Sequence, residues 1–266
     1  MARSHSQTTR IQRLTHREER DRTGLFYIEG MRFVAQVLHH HARIEQLVVC
    51  QKLLTHPFAQ KLVREQKKRG TPVLEVSRNI MERLSQVQDS QGLGAVVRQR
   101  WQYLASIRPK GELCWIAVET LRSPGNLGTI LRTSDAVGGA RLLLLGETVD
   151  PYDPGTVRAT MGAMFTQCFI RTSREEILAW KRRGQYLLVG TSPHASQDYQ
   201  EVPYHAPTIL QRKGLPAELQ AICDRMVSIP MVGESDSLNM AMATGVMLYE
   251  VFNQRRKQAV EFALSQ

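Results

Sequence analysis

The chain has 266 residues, of which 42% are hydrophobic, so it can form one large globular domain or two modest ones with a full core. No apolar run approaches the ~20 residues of a membrane span, and no apolar segment follows the first arginines as in a signal peptide. The four cysteines show no paired spacing, which argues against a disulfide framework and predicts buried thiols in a reducing compartment. We therefore expect a soluble cytoplasmic protein.

Positive charge is concentrated in the first part of the chain. The net charge is +10, and residues 1–100 contain 18 Lys and Arg against 9 Asp and Glu, so nearly all of the excess lies there. Clusters of this kind attract polyanions and favour nucleic acid as a partner. The alternative is a solvated surface with scattered basic residues.

Short apolar runs alternate with longer amphipathic ones after an arginine-rich start. Arg10, Arg13, Arg17, Arg20 and Arg22 have a spacing that could line one side of a helix or a flexible arm, where they would contact an RNA backbone. Beyond them the pattern predicts strands at 25–28, 44–50, 72–76 and 94–97 and helices at 31–40, 58–68 and 79–84. This alternation is typical of an α/β domain.

The segment 98–111 lacks clear periodicity and is the natural linker, so we place a domain boundary near residue 106, giving domains 1–105 and 106–266. The second domain repeats the α/β pattern, with strands that look buried on both faces, as in a parallel sheet. Strands are predicted at 113–118, 141–145, 166–170, 186–190, 208–210 and 226–229, and helices at 126–137, 156–164, 174–183, 216–223 and 238–254.

The turn from Ser123 through Pro124, Gly125 and Asn126 follows a buried strand and opens a helix. Ligands collect at such positions in open α/β sheets, because free N–H groups and the helix dipole favour an electron-rich group. The turn lacks the glycine spacing of a dinucleotide site and the lysine of a phosphate loop. A purely geometric role for the glycines remains the alternative.

Arg132 lies six residues beyond Asn126, hence about 240° away on a straight helix unless Asn126 sits in the preceding turn. We therefore expect Asn126 to be a loop or cap residue. Arg132 is either a surface ion-pair residue or a phosphate ligand, since a guanidinium forks onto phosphate oxygens.

A second stretch combines a loop containing Pro230 and Gly233 with the start of a long helix. Ser237 occupies a plausible N-cap position there, although Ser237 and Asn239 could both be mere capping residues. The methionines that follow, Met240, Met242 and Met247, suit a core or a dimer face.

Taken together, these segments resemble the motifs of the SpoU-type RNA ribose 2′-O-methyltransferases of the SPOUT superfamily. Residues 17–30 are similar to the start of the family's substrate-binding domain, 124–138 to its first motif and 229–250 to its third. Residues 158–163 resemble the segment after the family's second strand. Four motifs in the right order cover most of the chain.

The resemblance implies a ribosomal-protein-like N-terminal α/β domain and a C-terminal α/β domain with a trefoil knot. It also implies S-adenosyl-L-methionine as cofactor, no metal, and a homodimer through the C-terminal domain with active sites at the subunit interface. The residues carried over as catalytic are Asn126, Arg132, Ser237 and Asn239. Those carried over as cofactor-binding are Thr191, Gly214, Ile229, Met231 and Leu238.

The implied reaction is in-line methyl transfer to a ribose 2′-hydroxyl of structured RNA, with large-subunit rRNA first and tRNA second. Because a guanidinium stays charged, Arg132 is expected to clamp phosphate and stabilise the developing alkoxide, while an RNA phosphate or water accepts the proton. The family's second motif departs here, since the interval 209–214 is several residues short and keeps only Gly214 and Leu215. The shortening predicts weakened donor binding or residues missing from the sequence, and it leaves a non-catalytic RNA-binding protein on the same fold as the alternative.

Overall fold

The computed structural model describes residues 2–85, 89–107, 113–119, 121–139, 141–146, 148–204, 208–211 and 220–264. The chain forms two compact units. The first contains Met1–Gln99 together with Asp150–Phe165, and the second contains Arg100–Val149 together with Thr166–Gln266. Two contiguous domains meeting near residue 106 were expected. The division falls instead at Gln99, and a later segment of the chain belongs to the first unit.

The first unit is an α/β domain around a four-stranded sheet of order β1-β4-β2-β3. The two pairs that involve β4 are antiparallel, whereas β2 and β3 are parallel. The strands are β1 (Leu25–Glu29), β2 (Ile44–Val49), β3 (Val73–Glu75) and β4 (Leu93–Arg98). The helices are α1 (Ala2–Arg13), α2 (Arg17–Thr23), α3 (Met31–His39), α4 (Pro57–Lys68), α5 (Arg78–Leu84) and, from the later segment, α7 (Pro154–Ala159).

The later segment joins the first unit through a buried ion pair. Arg20 is 2% exposed, and its Nε donates to Asp150 Oδ2 at 2.7 Å. Its Nη1 also donates to the carbonyl oxygens of Leu14 and Thr15. Burying a guanidinium is unfavourable without such partners, so Asp150 is held beside α2.

Several of the five N-terminal arginines were expected to line one side of a helix or a flexible arm, and the structure places them in different surroundings. Arg20 is committed to the core, Arg17 pairs with Asp21 at 3.4 Å, and Arg22 pairs with Glu19 at 2.6 Å. These arginines also do not share the periodicity of one helix, because α1 and α2 are separate helices with a turn between them. Arg10 and Arg13 remain exposed on α1.

The predicted helix at 156–164 is shorter in the structure. α7 ends at Ala159, because Met161 and Gly162 have φ angles of 52° and 103°. These left-handed conformations cannot continue a right-handed helix. A short 3-10 turn at Ala163–Phe165 follows.

The second unit is built on an eight-stranded sheet of order β10-β12-β9-β11-β6-β7-β8-β5, in which every pairing is parallel. The strands are β5 (Trp101–Gln102), β6 (Trp115–Glu119), β7 (Arg141–Leu145), β8 (Cys168–Thr172), β9 (Leu187–Thr191), β10 (Gln197–Asp198), β11 (Thr208–Gln211) and β12 (Arg225–Ser228). The helices are α6 (Pro124–Ala136), α8 (Arg174–Gly184) and α9 (Met240–Leu264). The predicted α/β class with a parallel second sheet is confirmed.

Three local predictions differ in this unit or lie outside its described residues. The segment expected to be a linker supplies β5, which pairs with β8, and the Trp101 ring lies 6.3 Å from that of Phe169. The last helix continues to Leu264 rather than to about residue 254. Most of the predicted helix at 216–223, and Gly214, fall outside the described residues. No helix in the described ranges combines the length and apolar character that a bilayer crossing requires.

Candidate active site

A cleft opens where two neighbouring parallel strands of the second unit end. β9 ends at Thr191 and β12 at Ser228, and Thr191 is in register with Val227. The Ser192 N–H donates to the Val227 carbonyl at 2.9 Å, which fixes the chain as it leaves β9. The carboxyl ends of parallel strands are where α/β proteins bind ligands.

The cleft has a volume of about 350 Å³, counting its open mouth. It contains all four of the predicted cofactor-binding residues that the structure describes, and one residue predicted to be catalytic. Its lining is Thr191, Ser192, Pro193, Ile229, Met231, Ser237, Leu238 and Ala243. Residues from two distant parts of the sequence, 191–193 and 229–243, therefore meet here.

The chemistry of the lining restricts the ligand class. Ile229, Met231 and Leu238 supply apolar walls, whereas Ser192, Ser237 and Thr191 supply hydroxyl groups. None of the described lining residues is Lys or Arg, which polyphosphate ligands usually require. The cleft therefore fits a flat, mostly uncharged group such as adenosine and does not favour a nucleoside triphosphate.

The start of α6 shows how the first motif is held. Ser123 is the N-cap, because its Oγ accepts from the Asn126 N–H at 3.3 Å, and Pro124 occupies the first helical position. Proline suits that position because its missing N–H would be unsatisfied there anyway. Asn126 was expected to lie in a loop or cap, but it belongs to the first turn of the helix. Its side chain projects from the helix instead of closing its end.

The start of α9 places Asn239 where Ser237 was expected. Asn239 Oδ1 accepts from the Ala241 N–H at 2.8 Å and therefore caps the helix. Ser237 lies two residues earlier and lines the cleft. Asn239 Nδ2 also donates to Asn126 Oδ1 at 3.2 Å, so one side chain both caps α9 and joins it to α6.

Arg132 lies farther along α6 and is exposed. Since the helix is continuous from Pro124 to Ala136, Arg132 is rotated by about 240° from Asn126, so the two side chains point about 120° apart around the axis. Within the described residues, no hydrogen bond or ion pair joins Arg132 to another side chain. Its guanidinium lies on a different face of α6 from the contact with Asn239.

The sequence prediction missed Ser192, Pro193 and Ala243 in the cleft and Ser123 as a cap. Ser192 and Pro193 could have been inferred, because they directly follow a strand whose last residue was already assigned to the site. Ser123 also carried a signal, since serine followed by proline is a common start of a helix. Ala243 faces the cleft through the packing of α9, which no local pattern in the sequence indicates.

Comparison with protein families gives two matches along the chain. Residues 114–249 match the SpoU rRNA Methylase family, and residues 6–95 match an MRM3-like substrate binding domain. Both matches lie in the order expected from the motifs.

Individual relatives agree with these matches. The chain is 30% identical over 253 residues to the 23S rRNA (uridine(2479)-2′-O)-methyltransferase of Streptomyces viridochromogenes, covering 91% of this chain and 87% of that protein. The AdoMet-bound rRNA methyltransferase from Sinorhizobium meliloti superposes with a TM-score of 0.83 at 35% identity, covering 92% of this chain and 93% of that one. The SpoU methyltransferase AviRb with AdoMet gives a TM-score of 0.82 at 28% identity and covers 94% and 97%. The resemblance inferred from the motifs is confirmed: this chain belongs to the SpoU rRNA Methylase family.

Proposed function

We propose that this protein transfers a methyl group from S-adenosyl-L-methionine to a ribose 2′-hydroxyl of RNA, with large-subunit rRNA as the first substrate class. The observation that carries the proposal is the hydrogen bond from Asn239 to Asn126, which joins the first and third motif segments beside the cleft. Relatives named as 23S rRNA 2′-O-methyltransferases, from Streptomyces viridochromogenes and Bacillus subtilis, support the choice of substrate.

The cofactor site is the cleft at the ends of β9 and β12. Ile229, Met231 and Leu238 would hold the adenine between apolar groups, and Thr191 would border the ribose. Gly214 would complete the cradle from the second motif. When bound, S-adenosyl-L-methionine supplies an electrophilic methyl group on a sulfonium, so the protein itself needs to orient the acceptor and stabilise negative charge.

Arg132 is the residue that we assign to charge stabilisation. Its exposed guanidinium would bind an RNA phosphate and the 2′-oxygen as the O–H bond is lost, and an RNA phosphate oxygen or water would take the proton. Asn126 uses its Oδ1 to accept from Asn239, which leaves its Nδ2 to orient the RNA. Asn239 acts through Asn126 and is a positioning residue, and Ser237 contributes its hydroxyl to the cleft.

A homodimer through the second unit is part of the proposal. Met242, Tyr249 and Val260 are exposed on α9, and their spacings of seven and eleven residues are close to whole numbers of helical turns. They therefore share one apolar face, which is typical of an interface. A site completed by a second subunit also agrees with Arg132 pointing away from Asn126 on α6.

We also propose the trefoil knot that the family resemblance implies. Its support is the strand order, since β11 lies between β9 and β6 although both precede it in the chain. β12 then lies on the far side of β9, so the chain passes β9 between β11 and β12.

Transfer of labelled methyl groups tests the proposal. The protein is incubated with methyl-labelled S-adenosyl-L-methionine and, separately, with large ribosomal subunits, free rRNA and tRNA, and the label is located after nuclease digestion. We expect 2′-O-methylated nucleosides from rRNA. Label in tRNA alone would favour the tRNA enzyme, whereas absence of transfer together with absence of donor binding by calorimetry would favour the non-catalytic RNA-binding protein.

A further inference from the structure

The most exposed Phe, Tyr or Trp side chain among the described residues lies in the second unit, outside the proposed cofactor cleft. Tyr103 directly follows β5 and is 80% exposed. Single hydrophobic side chains are common on protein surfaces, so the exposure of this ring alone indicates no ligand. Its neighbours decide whether it belongs to a binding surface.

The backbone at Tyr103 is held in place although its side chain is exposed. The Tyr103 carbonyl oxygen accepts from the Ser106 N–H at 3.0 Å and from the Ser106 Oγ at 2.8 Å. The short 3-10 turn that follows is anchored, because Leu104 and Ile107 are buried in the core of the second unit. The ring therefore stands on a rigid base, which lowers the entropy cost of binding a ligand.

Tyr103 shares a face of the sheet with a second aromatic ring and an arginine. β5 and β8 are parallel, with Trp101 paired to Phe169. The backbone of Tyr103 is still extended, with φ −104° and ψ 133°, so alternation along the strand puts Tyr103 on the face of Trp101. Arg171 shares this face by the same alternation, and its Cζ lies 4.0 Å from the centroid of the Trp101 ring. We call the surface formed by Trp101, Tyr103 and Arg171 the β5 platform.

The two chain segments that form the β5 platform are basic. Residues 100–107 and 166–172 contain Arg100 and Arg171 and no Asp or Glu. Both arginines are exposed. Surfaces that bind single-stranded nucleic acid combine positive charge with aromatic rings on which bases stack. A peptide would pair along the edge of the sheet instead, but β5 has only two residues.

We propose that the β5 platform binds an unpaired base of the RNA substrate, which stacks on Tyr103 while Arg171 contacts an adjoining phosphate. Stacking uses the π-face that every base presents, so the contact adds affinity without selecting a base. β5 lies five strands from β9 in the sheet, which is roughly 24 Å at about 4.8 Å per strand. The stacked base is thus several nucleotides away from a ribose at the cleft of the same subunit.

This inference rests on the proposed RNA substrate and adds a second point of contact to it. Stacking on Tyr103 requires no methyl donor, so RNA binding and methyl transfer are measured separately on the same preparations. Absence of transfer by a protein whose RNA binding depends on the Tyr103 ring would contradict the proposed reaction alone. Transfer with RNA binding that is indifferent to the ring would contradict the platform alone.

Fluorescence anisotropy with labelled oligouridine and oligoadenosine tests the stacking contact on the full-length protein. We expect Tyr103→Ala to weaken binding of both oligonucleotides by about 5- to 150-fold, as the loss of one stacked base would give. Tyr103→Phe keeps the ring and is the matched control, so its affinities should stay within about twofold of the wild-type values. The salt dependence of binding should be the same for Tyr103→Ala and wild type, because no phosphate contact is lost.

Methyl transfer to large ribosomal subunits distinguishes a binding role of Tyr103 from a structural one. Tyr103→Ala should raise the KM for the subunits, while the single-turnover rate at saturation and the affinity for S-adenosyl-L-methionine stay unchanged. Its free energy of unfolding should also be unchanged, because the ring is exposed. Equal oligonucleotide binding by wild type and Tyr103→Ala would overturn the proposal. Equal weakening by Tyr103→Phe and Tyr103→Ala would overturn it as well, since the ring would then not be the binding group.

Discussion

Asn239 and Asn126 are separated by 113 positions in the sequence, and their side-chain amides meet at 3.2 Å. The same Asn239 side chain caps α9 through its Oδ1. The two helix starts that define the proposed site are thus joined by a side-chain hydrogen bond. This contact gives the first prediction.

Removal of either amide should weaken the junction between α6 and α9. In a double-mutant cycle with Asn126→Ala and Asn239→Ala, we expect a coupling of about 0.5–1.5 kcal/mol in the free energy of unfolding, measured with urea. Asn239→Ala alone should cost about 1 kcal/mol more, because α9 also loses its N-cap. Asn126→Ala combined with Ser173→Ala, at the distant N-cap of α8, should be additive. A coupling near zero for the asparagine pair would contradict the contact.

Arg132→Ala should reduce single-turnover methyl transfer about 100- to 1,000-fold at saturating RNA, because a donor to the developing alkoxide is lost. Calorimetric affinity for S-adenosyl-L-methionine should stay unchanged, since Arg132 does not line the cleft. Arg183→Ala, an exposed arginine on α8, serves as the control and should transfer normally. Normal transfer by Arg132→Ala would remove Arg132 from the proposed mechanism.

Leu238→Ala should raise the dissociation constant for S-adenosyl-L-methionine by about tenfold, because an apolar wall of the cleft is truncated. Val232 lies in the same loop but is fully exposed, so Val232→Ala should leave the constant unchanged. Titration calorimetry on both variants makes the comparison. If Leu238→Ala and Val232→Ala bound S-adenosyl-L-methionine with equal affinity, the methyl donor would bind outside this cleft.

Arg20→Ala should lower the free energy of unfolding by about 3–5 kcal/mol, because Asp150 is left buried without its cation. Arg22→Ala removes an arginine of the same helix whose ion pair with Glu19 is exposed, and it should cost far less than Arg20→Ala. Denaturant unfolding of both variants tests the difference. If both variants lost similar amounts of unfolding free energy, burial of the Arg20–Asp150 pair would add no stability beyond that of an exposed ion pair.

Alkaline pH should destabilise the fold through Cys114. Burial raises the pKa of this thiol from about 9.0 to about 12. Above pH 9 the unfolded chain releases the proton first while the folded protein keeps it, so stability is fully present below pH 9 and falls as pH rises toward 12. Between about pH 8 and pH 10.5 the wild-type protein should lose about 2 kcal/mol more than Cys114→Ala. If the wild-type protein and Cys114→Ala lost equal stability over this pH range, the raised pKa of Cys114 would be contradicted.

Much of the fold was predictable because its strands and helices are locally encoded. The run of Leu142–Leu145 favours a strand buried on both faces, and β7 has the predicted bounds Arg141–Leu145. The cleft residues Thr191, Ile229, Met231 and Leu238 were assigned through the family resemblance, and the structure places all four in one cleft. These features depend on neighbours in the sequence.

The features that escaped prediction depend on distant partners. Nothing near Arg20 indicates that its cation is buried, because Asp150 lies 130 positions away. Ser237 and Asn239 are both good capping residues, and only the hydrogen bond to Ala241 distinguishes them. The assignment of β5 to the second sheet likewise needs β8, which is far along the chain.

The buried pair of Arg20 and Asp150 also sets a limit on how the chain can be divided. The substrate binding family match ends at residue 95, but a fragment cut there would retain the guanidinium and lose its carboxylate. The first unit therefore matches a family of its own, but no single continuous segment of the chain contains all of it. Any transplant of this unit onto another enzyme would have to bring Asp150–Phe165 with it.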